Sequence, residues 1–433
     1  MSTVRPILDM NAFDASNGAK GAVGRRLANL GAASVLFYRE PIQMVSAKGA
    51  WMTAADGTRY LDFYNNVPSV GHSHAAVVEA LSAQIATLNT NARYVVSVVD
   101  DYIEALKARL PDALSNVVLT CSGSEANDLA LRIAFAATGR RGVIVTRTAY
   151  HGNTALVTDV SPSALKRGAP PDWVETVPAP GREAYRDDIA GGFSRAVRDA
   201  MARLDARGHG TAALLVDSIF SSDGIFADPA GFLHPAAKAV QTAGGLVIAD
   251  EVQPGFARTG AAFWGFQRHG IAPDIVTMGK PMGNGFPMAG LAARPAHLAD
   301  FCAITGYFNT FGGNPVAAAA GHAVLRVIEG EALQRNALDV GALLLDGLRG
   351  IAAGHERITQ VRGAGLFLGV DLGDAGAPDA AFTTQVIDRM RDQGVLIGAA
   401  GRYGATLKLR PPLCLTTEEA ARFLDIFERA VSA

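Results

Sequence analysis

Only three cysteines occur in the 433 residues, Cys121, Cys302 and Cys414, and no two have the close spacing of a metal-binding or redox pair. A disulfide framework and a zinc knuckle are therefore not expected, and no metal is. Charge is sparse as well: 18% of residues are Asp, Glu, Lys or Arg, the formal net charge is -2, and no basic block is interleaved with aromatics. A nucleic-acid partner, which needs cations to meet its phosphates, is not expected either. Apolar runs such as Ala212 to Val216 stop at strand length, and the stretch Met1 to Asp9 lacks the apolar region of a secretion signal. Neither a membrane span nor a leader is expected, which makes the cytoplasm the expected compartment. No G-x-G-x-x-G follows any apolar run, and no Walker A glycine spacing surrounds Lys280, so the usual nucleotide loops are missing.

What the chain has in quantity is apolar residues, 49% of the total, enough for a large core and two intimately packed domains. From about Ala75 to Ile328 one rhythm repeats: an apolar run, a turn, then a helical pattern. This predicts a parallel sheet wrapped in helices. The expected strands are Val117 to Thr120, Gly142 to Thr146, Ala212 to Asp217, Gly245 to Asp250 and Asp274 to Met278, continuously hydrophobic as strands buried on both faces must be. A Pro-rich stretch around Ala169 to Gly181 reads as an irregular loop. Before Gly71, apolar runs flank Asp56-Gly57 as in a hairpin; after Gly330 a helical pattern precedes short strands at Gly365 to Asp371 and Thr406 to Leu409. The division expected is residues 1–70 and 330–433 combining into a smaller α+β domain, with residues 71–329 forming the large one.

In open α/β sheets ligands bind at the carboxyl ends of the strands, and there the sequence places its unusual residues. Lys280 follows Ile275-Val276-Thr277-Met278 in a glycine-rich, nearly uncharged turn, where a desolvated amine could hold a carbonyl cofactor as a Schiff base. Asp250 ends another apolar run and is costly to bury unless a cation meets it; a protonated pyridine nitrogen would be that cation. Ser122, Gly123 and Ser124 open a helix directly after a strand, as a phosphate cradle does, although an ordinary helix cap explains such a turn when it stands alone. Tyr150 and His151 bring an aromatic face and an imidazole beside it. These parts together point to pyridoxal phosphate.

The same segments resemble the class III pyridoxal-phosphate aminotransferases of fold type I. The matches are Gly71 to His74, Ser122 to Asn127, Tyr150 to Gly152, Ala249 to Gln253, Gly279-Lys280 and Phe308 to Pro315. The resemblance implies an α/β fold with a mostly parallel seven-stranded sheet between helices. It also implies that Lys280 carries the cofactor, that Gly123 and Ser124 bind its phosphate, that Tyr150 stacks on the ring with Val252 behind it, and that Gln253 meets the ring hydroxyl. Thr310 would reach the phosphate of a neighbouring copy, so a homodimer, or a dimer of dimers, is implied.

Two places depart from that pattern. Ser222 stands where relatives that grip an α-carboxylate have a glutamate, and Lys408 stands where they have an arginine. The wording resembles the branch of alanine-glyoxylate-type aminotransferases and phospholyases of phosphorylated amino alcohols. The implied activity is first an ω-type transfer of an amino group from a primary amine or amino acid to a keto acid or aldehyde such as pyruvate. Second comes expulsion of phosphate from a phosphoethanolamine-like substrate. The expected pocket residues are Tyr64, Val67, Ser222, Arg402 and Lys408, with Arg410 as a further anion donor.

Overall fold

The computed structural model describes residues 6–14, 16 and 18–433, and the part of the sequence reading that falls on residues 1–5 lies outside them. Near the amino end run strands β1 (Met44–Lys48), β2 (Trp51–Ala54) and β3 (Arg59–Asp62). The middle of the chain gives β4 (Asn116–Thr120), β5 (Gly142–Thr146), β6 (Val174–Val177), β7 (Thr211–Asp217), β8 (Leu246–Asp250), β9 (Ile275–Met278) and β10 (Ala289–Ala293). The last third adds β11 (Ile358–Ala364), β12 (Phe367–Asp374), β13 (Ala377–Pro378), β14 (Val395–Leu396), β15 (Gly398–Ala400) and β16 (Thr406–Leu409).

The middle strands form one sheet in the order β4-β10-β9-β8-β7-β5-β6. Only β10 runs against its neighbours, so the other six point their carboxyl ends to one edge. Every residue of β5, β8 and β9 is buried, which is why these strands read as unbroken apolar runs. Alternate residues serve opposite faces: Leu214 and Val216 pack into one apolar cluster, Ala213 and Leu215 into the other. The core therefore lies on both sides of the sheet, under helices such as Gly123–Thr138 and Ile189–Ala206.

One smaller sheet joins the chain ends, and a second is built from the last third alone. β14 pairs with β3 in parallel, tying residues near 395 to residues near 61, and Phe63 stacks on Phe423 of the last helix with ring centroids 4.0 Å apart. Such a pair contributes about 0.5–1.5 kcal/mol beyond its buried area. The other small sheet has the order β11-β12-β16-β15, and it carries Lys408 on β16.

Three expectations are corrected. The stretch around Ala169 to Gly181 is not wholly irregular, because β6 lies inside it as the edge strand beside β5. An edge strand is buried at only some positions, and Glu175 in its middle accepts from Arg203 and Arg207, so no apolar run marks it. The strand expected at Gly365 to Asp371 begins at Phe367, because Gly365 sits at φ +56 in the tight turn that joins β11 to β12. β10 was not expected at all; its Ala and Gly residues supply little apolar signal for a strand wedged between β4 and β9. Among the described residues no helix is long and apolar enough to cross a membrane.

Candidate active site

The carboxyl edge of the large sheet assembles most of the residues singled out from the sequence. Asp250, the last residue of β8, is buried, and three donors surround its carboxylate: Asn127 Nδ2 (2.9 Å) and His151 Nδ1 (2.7 Å) at Oδ2, and the backbone N–H of Val252 (3.1 Å) at Oδ1. The protein thus solvates this acid itself, where the sequence suggested that only a ligand's cation could. Asn127 is fixed in turn, donating also to the carbonyl of His151 and accepting from Thr277 Oγ1 at 2.7 Å. His151 thus sits behind Asp250, and its Nε2 is buried with no partner among the described residues.

Beside Asp250 the helix Gly123–Thr138 begins. Ser122 caps it, accepting from Glu125 N, while Glu125 Oε2 accepts from Cys121 N (2.7 Å) and Ser122 N (3.0 Å). The hydroxyl of Ser122 therefore serves the cap. The first-turn amides of Gly123 and Ser124 have no acceptor within the helix, as at every helix start. The space around them tolerates no further side chain. A Cβ on Gly123 would lie 2.9 Å from Val252 Cγ2; one on Gly152 would lie 2.8 Å from Ser124 Cα and closer still to its Oγ. A cradle this tight, with free amides at a helix start, suits a phosphate group. Tyr150 is half-buried next to it, and burial raises its phenol pKa.

Lys280 opens the short turn Lys280–Gly283 after β9. Burial, reinforced by the Arg410 guanidinium, lowers its ammonium pKa to about 8, against the opposing pull of Asp250 and Asp217. Val252 packs between Gly123 and Gly279, on the wall that joins the cradle to the lysine. The acid, the tight cradle, the aromatic ring and the low-pKa lysine fit an aldehyde-bearing pyridine phosphate.

The second cluster is cationic. Lys408 and Arg410 are 4% and 7% exposed, and burial lowers the pKa of both. Arg410 Nη1 donates to Gln253 Oε1 (2.6 Å) and Asn66 Oδ1 (3.2 Å), and its guanidinium lies 4.7 Å from the centre of the Tyr64 ring. Gln253 therefore holds this arginine, and its Nε2 donates to Ser221 Oγ. Lys408 Nζ lies 5.5 Å from the centre of the Phe367 ring. Among the described residues neither cation forms an ion pair with a carboxylate. Neither is therefore a solvated strand-edge charge.

Not every expected residue joins the cluster. Arg402 is exposed and stacks on Tyr403 at a cavity of about 670 Å³, which Arg147, Asp223 and Thr406 also line. Val67 is exposed, Tyr64 is half-buried, and Ser222 is buried with its carbonyl accepting from Gly401 N. Thr310 lies exposed between Phe308 and Phe311, which are themselves exposed. Asn127, Thr277 and Asn66 were missed as site residues. Thr277, a polar residue inside the apolar run of β9, was a visible signal; Asn66 was not.

Comparison with known proteins shows the family and the fold. The family model described as aminotransferase class-III matches residues 37–431. A Drosophila melanogaster protein named alanine-glyoxylate aminotransferase 2-like is 39% identical over 422 residues, covering 94% of this chain and 85% of its own length. A Caenorhabditis elegans protein named ethanolamine-phosphate phospho-lyase homolog 1 is 37% identical, with 90% and 88% covered. The solved structure of an Arthrobacter phospholyase in complex with phosphoethanolamine superposes with a TM-score of 0.92 at 41% identity, covering 95% of this chain and all of that one.

Proposed function

This chain belongs to the class III aminotransferase family, and from that premise we propose that it is a pyridoxal-phosphate-dependent ammonia-phospho-lyase acting on a phosphorylated amino alcohol of the phosphoethanolamine kind. The observation that carries the proposal is the pair of buried cations, Lys408 and Arg410, with only neutral hydrogen-bond partners recorded for Arg410. Buried Asp217 acts on both cations and Asp223 on Lys408, but neither carboxylate forms an ion pair with them, so positive charge remains to be met, and a phosphate monoester brings about -2 charges and three acceptor oxygens. Ser222, in place of an acid, adds no further carboxylate beside the two cations. The likeness to the phospholyase structure supports the same reading. The reading reverses the order in which the sequence ranked the two activities.

When bound, pyridoxal phosphate supplies a carbonyl that condenses with amines and a pyridinium ring that withdraws electrons. Around it, the amides of Gly123 and Ser124 would hold the phosphate, Tyr150 and Val252 would face the two sides of the ring, and Asp250 would meet the pyridine nitrogen. Asp250 is held in place for this by His151 and Asn127. Lys280 Nζ would take the proton from the carbon that bears the amino group. Lys408 and the open arm of Arg410 would orient the substrate's phosphate as it departs from the neighbouring carbon. The overall reaction consumes one water and releases an aldehyde, ammonia and inorganic phosphate.

Amino transfer is the second reading, favoured by the Drosophila relative's name and by the fact that a carboxylate also suits a lysine–arginine pair. Incubating the holoenzyme with phosphoethanolamine and no acceptor separates the two. Free phosphate with no alanine formed from pyruvate supports the lyase; alanine formation without phosphate release reverses the choice.

The proposal includes a homodimer. Tyr94, Val95, Phe308 and Phe311 are exposed aromatic and branched apolar residues, the first two and Phe308 lining one groove next to Thr310, as a surface buried by a second copy would be. It also keeps the division into a large domain of residues 71–329 and a small one from 1–70 and 330–433, in accord with the pairing of β3 and β14.

A further inference from the structure

We propose that Arg362 is a positioning residue for the phosphate-facing end of the site, stapling the loop that carries Ser222 to the strand that carries Lys408. The inference rests on the reading of Lys408 as the cation that meets a substrate anion.

The loop after β7 is backbone-strained. Phe220 (φ +52) and Ile225 (φ +64) both occupy the left-handed region, which a β-branched residue such as isoleucine strongly avoids. Three internal hydrogen bonds, Phe226 N to Ile219 O (2.7 Å), Ile225 N to Phe220 O (3.1 Å) and Asp223 N to Phe220 O (3.1 Å), close the loop on itself. The carbonyls of Gly224 and Ile225 are met from outside. Arg362, in β11 and only 8% exposed, donates Nε to Ile225 O (2.7 Å) and Gly224 O (3.0 Å), and Nη2 to Gly224 O (2.5 Å). Its guanidinium covers the ring of Phe226 at 4.6 Å.

The opposite edge of the same guanidinium grips the small sheet. Nη2 donates to Asp371 Oδ1 (2.9 Å), and Nη1 donates to Asp371 Oδ2 and to Gln360 Oε1 (2.9 Å). Asp371 Oδ1 also accepts from Thr406 Oγ1 at 2.5 Å, and Thr406 is its partner across the β12–β16 ladder. Lys408 is two residues further along β16, on the same face as Thr406. A third tie closes the circuit, since Gly401 N, directly after β15, the neighbour of β16, donates to Ser222 O at 3.1 Å.

Arg362 also lines the cavity at Arg402, but its Nε and both arms are engaged by protein groups. Its contribution is to fix how far Lys408 stands from the Ser222 loop, and so from the lysine on the large sheet. Only a planar fork can serve two carbonyls and a carboxylate at once; a lysine at this position keeps the charge and loses the geometry.

The test uses full-length, cofactor-loaded Arg362→Lys, Arg362→Gln and Asp371→Asn beside Lys408→Gln and the double variant Arg362→Gln/Lys408→Gln. Two quantities are read: KM and kcat for phosphoethanolamine, and the dissociation constant of inorganic phosphate from its perturbation of cofactor absorbance. The expected result is that both Arg362 variants raise KM and the phosphate constant by about tenfold or more, while cofactor affinity stays within about twofold. Adding Arg362→Gln to Lys408→Gln is expected to cost little further, because the staple works through Lys408. Unchanged phosphate constants in Arg362→Lys and Asp371→Asn overturn the staple, as do fully additive effects in the double variant. If Arg362→Gln does not fold, Asp371→Asn and Arg362→Lys carry the decision. A wild type that binds phosphate but releases none from phosphoethanolamine defeats the lyase reading alone, and the staple is then judged on the phosphate constant. A wild type that does not bind phosphate overturns both.

Discussion

Lys280 concentrates the residue-scale chemistry, because its environment makes an ordinarily protonated amine available near neutral pH. Replacing it with alanine is expected to reduce turnover by at least about a thousandfold, and borohydride should no longer fix the cofactor to the protein. Trapping that persists in the variant would assign the link to another amine. The lowered pKa has a definite sign. Burial and Arg410 bring it to about 8, so the neutral amine, which is the nucleophile, gains population as pH rises toward that value. The rate at which cofactor-free protein takes up pyridoxal phosphate is therefore expected to climb from pH 6 through a midpoint near 8 and to level about one unit above it; stopped-flow absorbance would follow it. A rate that stays flat across that range would place the titrating group elsewhere. Lys280 and Asp250 were legible in the sequence because each ends an apolar run. Arg362 was not, because its task is to touch backbone carbonyls 137 and 138 positions away.

At the scale of elements, the cradle is a strand, a capped helix start and a neighbouring turn, and its tightness depends on two glycines. Gly152 has φ +142, and a methyl group there would press on Ser124. Gly152→Ala is expected to weaken cofactor affinity by about tenfold or more through strain and crowding together, measurable by fluorescence titration of the cofactor-free protein. Wild-type affinity in this variant would show that the turn gives way freely. The strand-to-helix turn at Ser122, Gly123 and Ser124 was legible in the sequence, whereas the capping box between Ser122 and Glu125 emerged with the structure. Elements buried on both faces were equally readable. β6 and β10 were not, the first because an edge strand carries polar residues, the second because alanine and glycine carry little signal.

On the scale of the whole molecule, the proposed second copy has a direct consequence. If Thr310 completes the neighbour's site, Lys280→Ala chains and Thr310→Ala chains, each impaired alone, should regain activity when refolded together, because one site of the mixed dimer has both residues intact. Mixtures no more active than the sum of the separate variants would place Thr310 in its own chain's site or in none. The sequence by itself determined the sheet, the cradle, the lysine and the acid, since burial, turn geometry and capping are local rules written in neighbouring residues. Tertiary structure decided the rest. It alone brought Lys408 and Arg410 from the last third of the chain to the edge of the large sheet and buried them with no ion pair to a carboxylate among the described residues. It turned Arg402 outward and set Arg362 between loop and strand. The physical reason is that the environment of a charge is fixed by residues hundreds of positions away, and no local pattern encodes it.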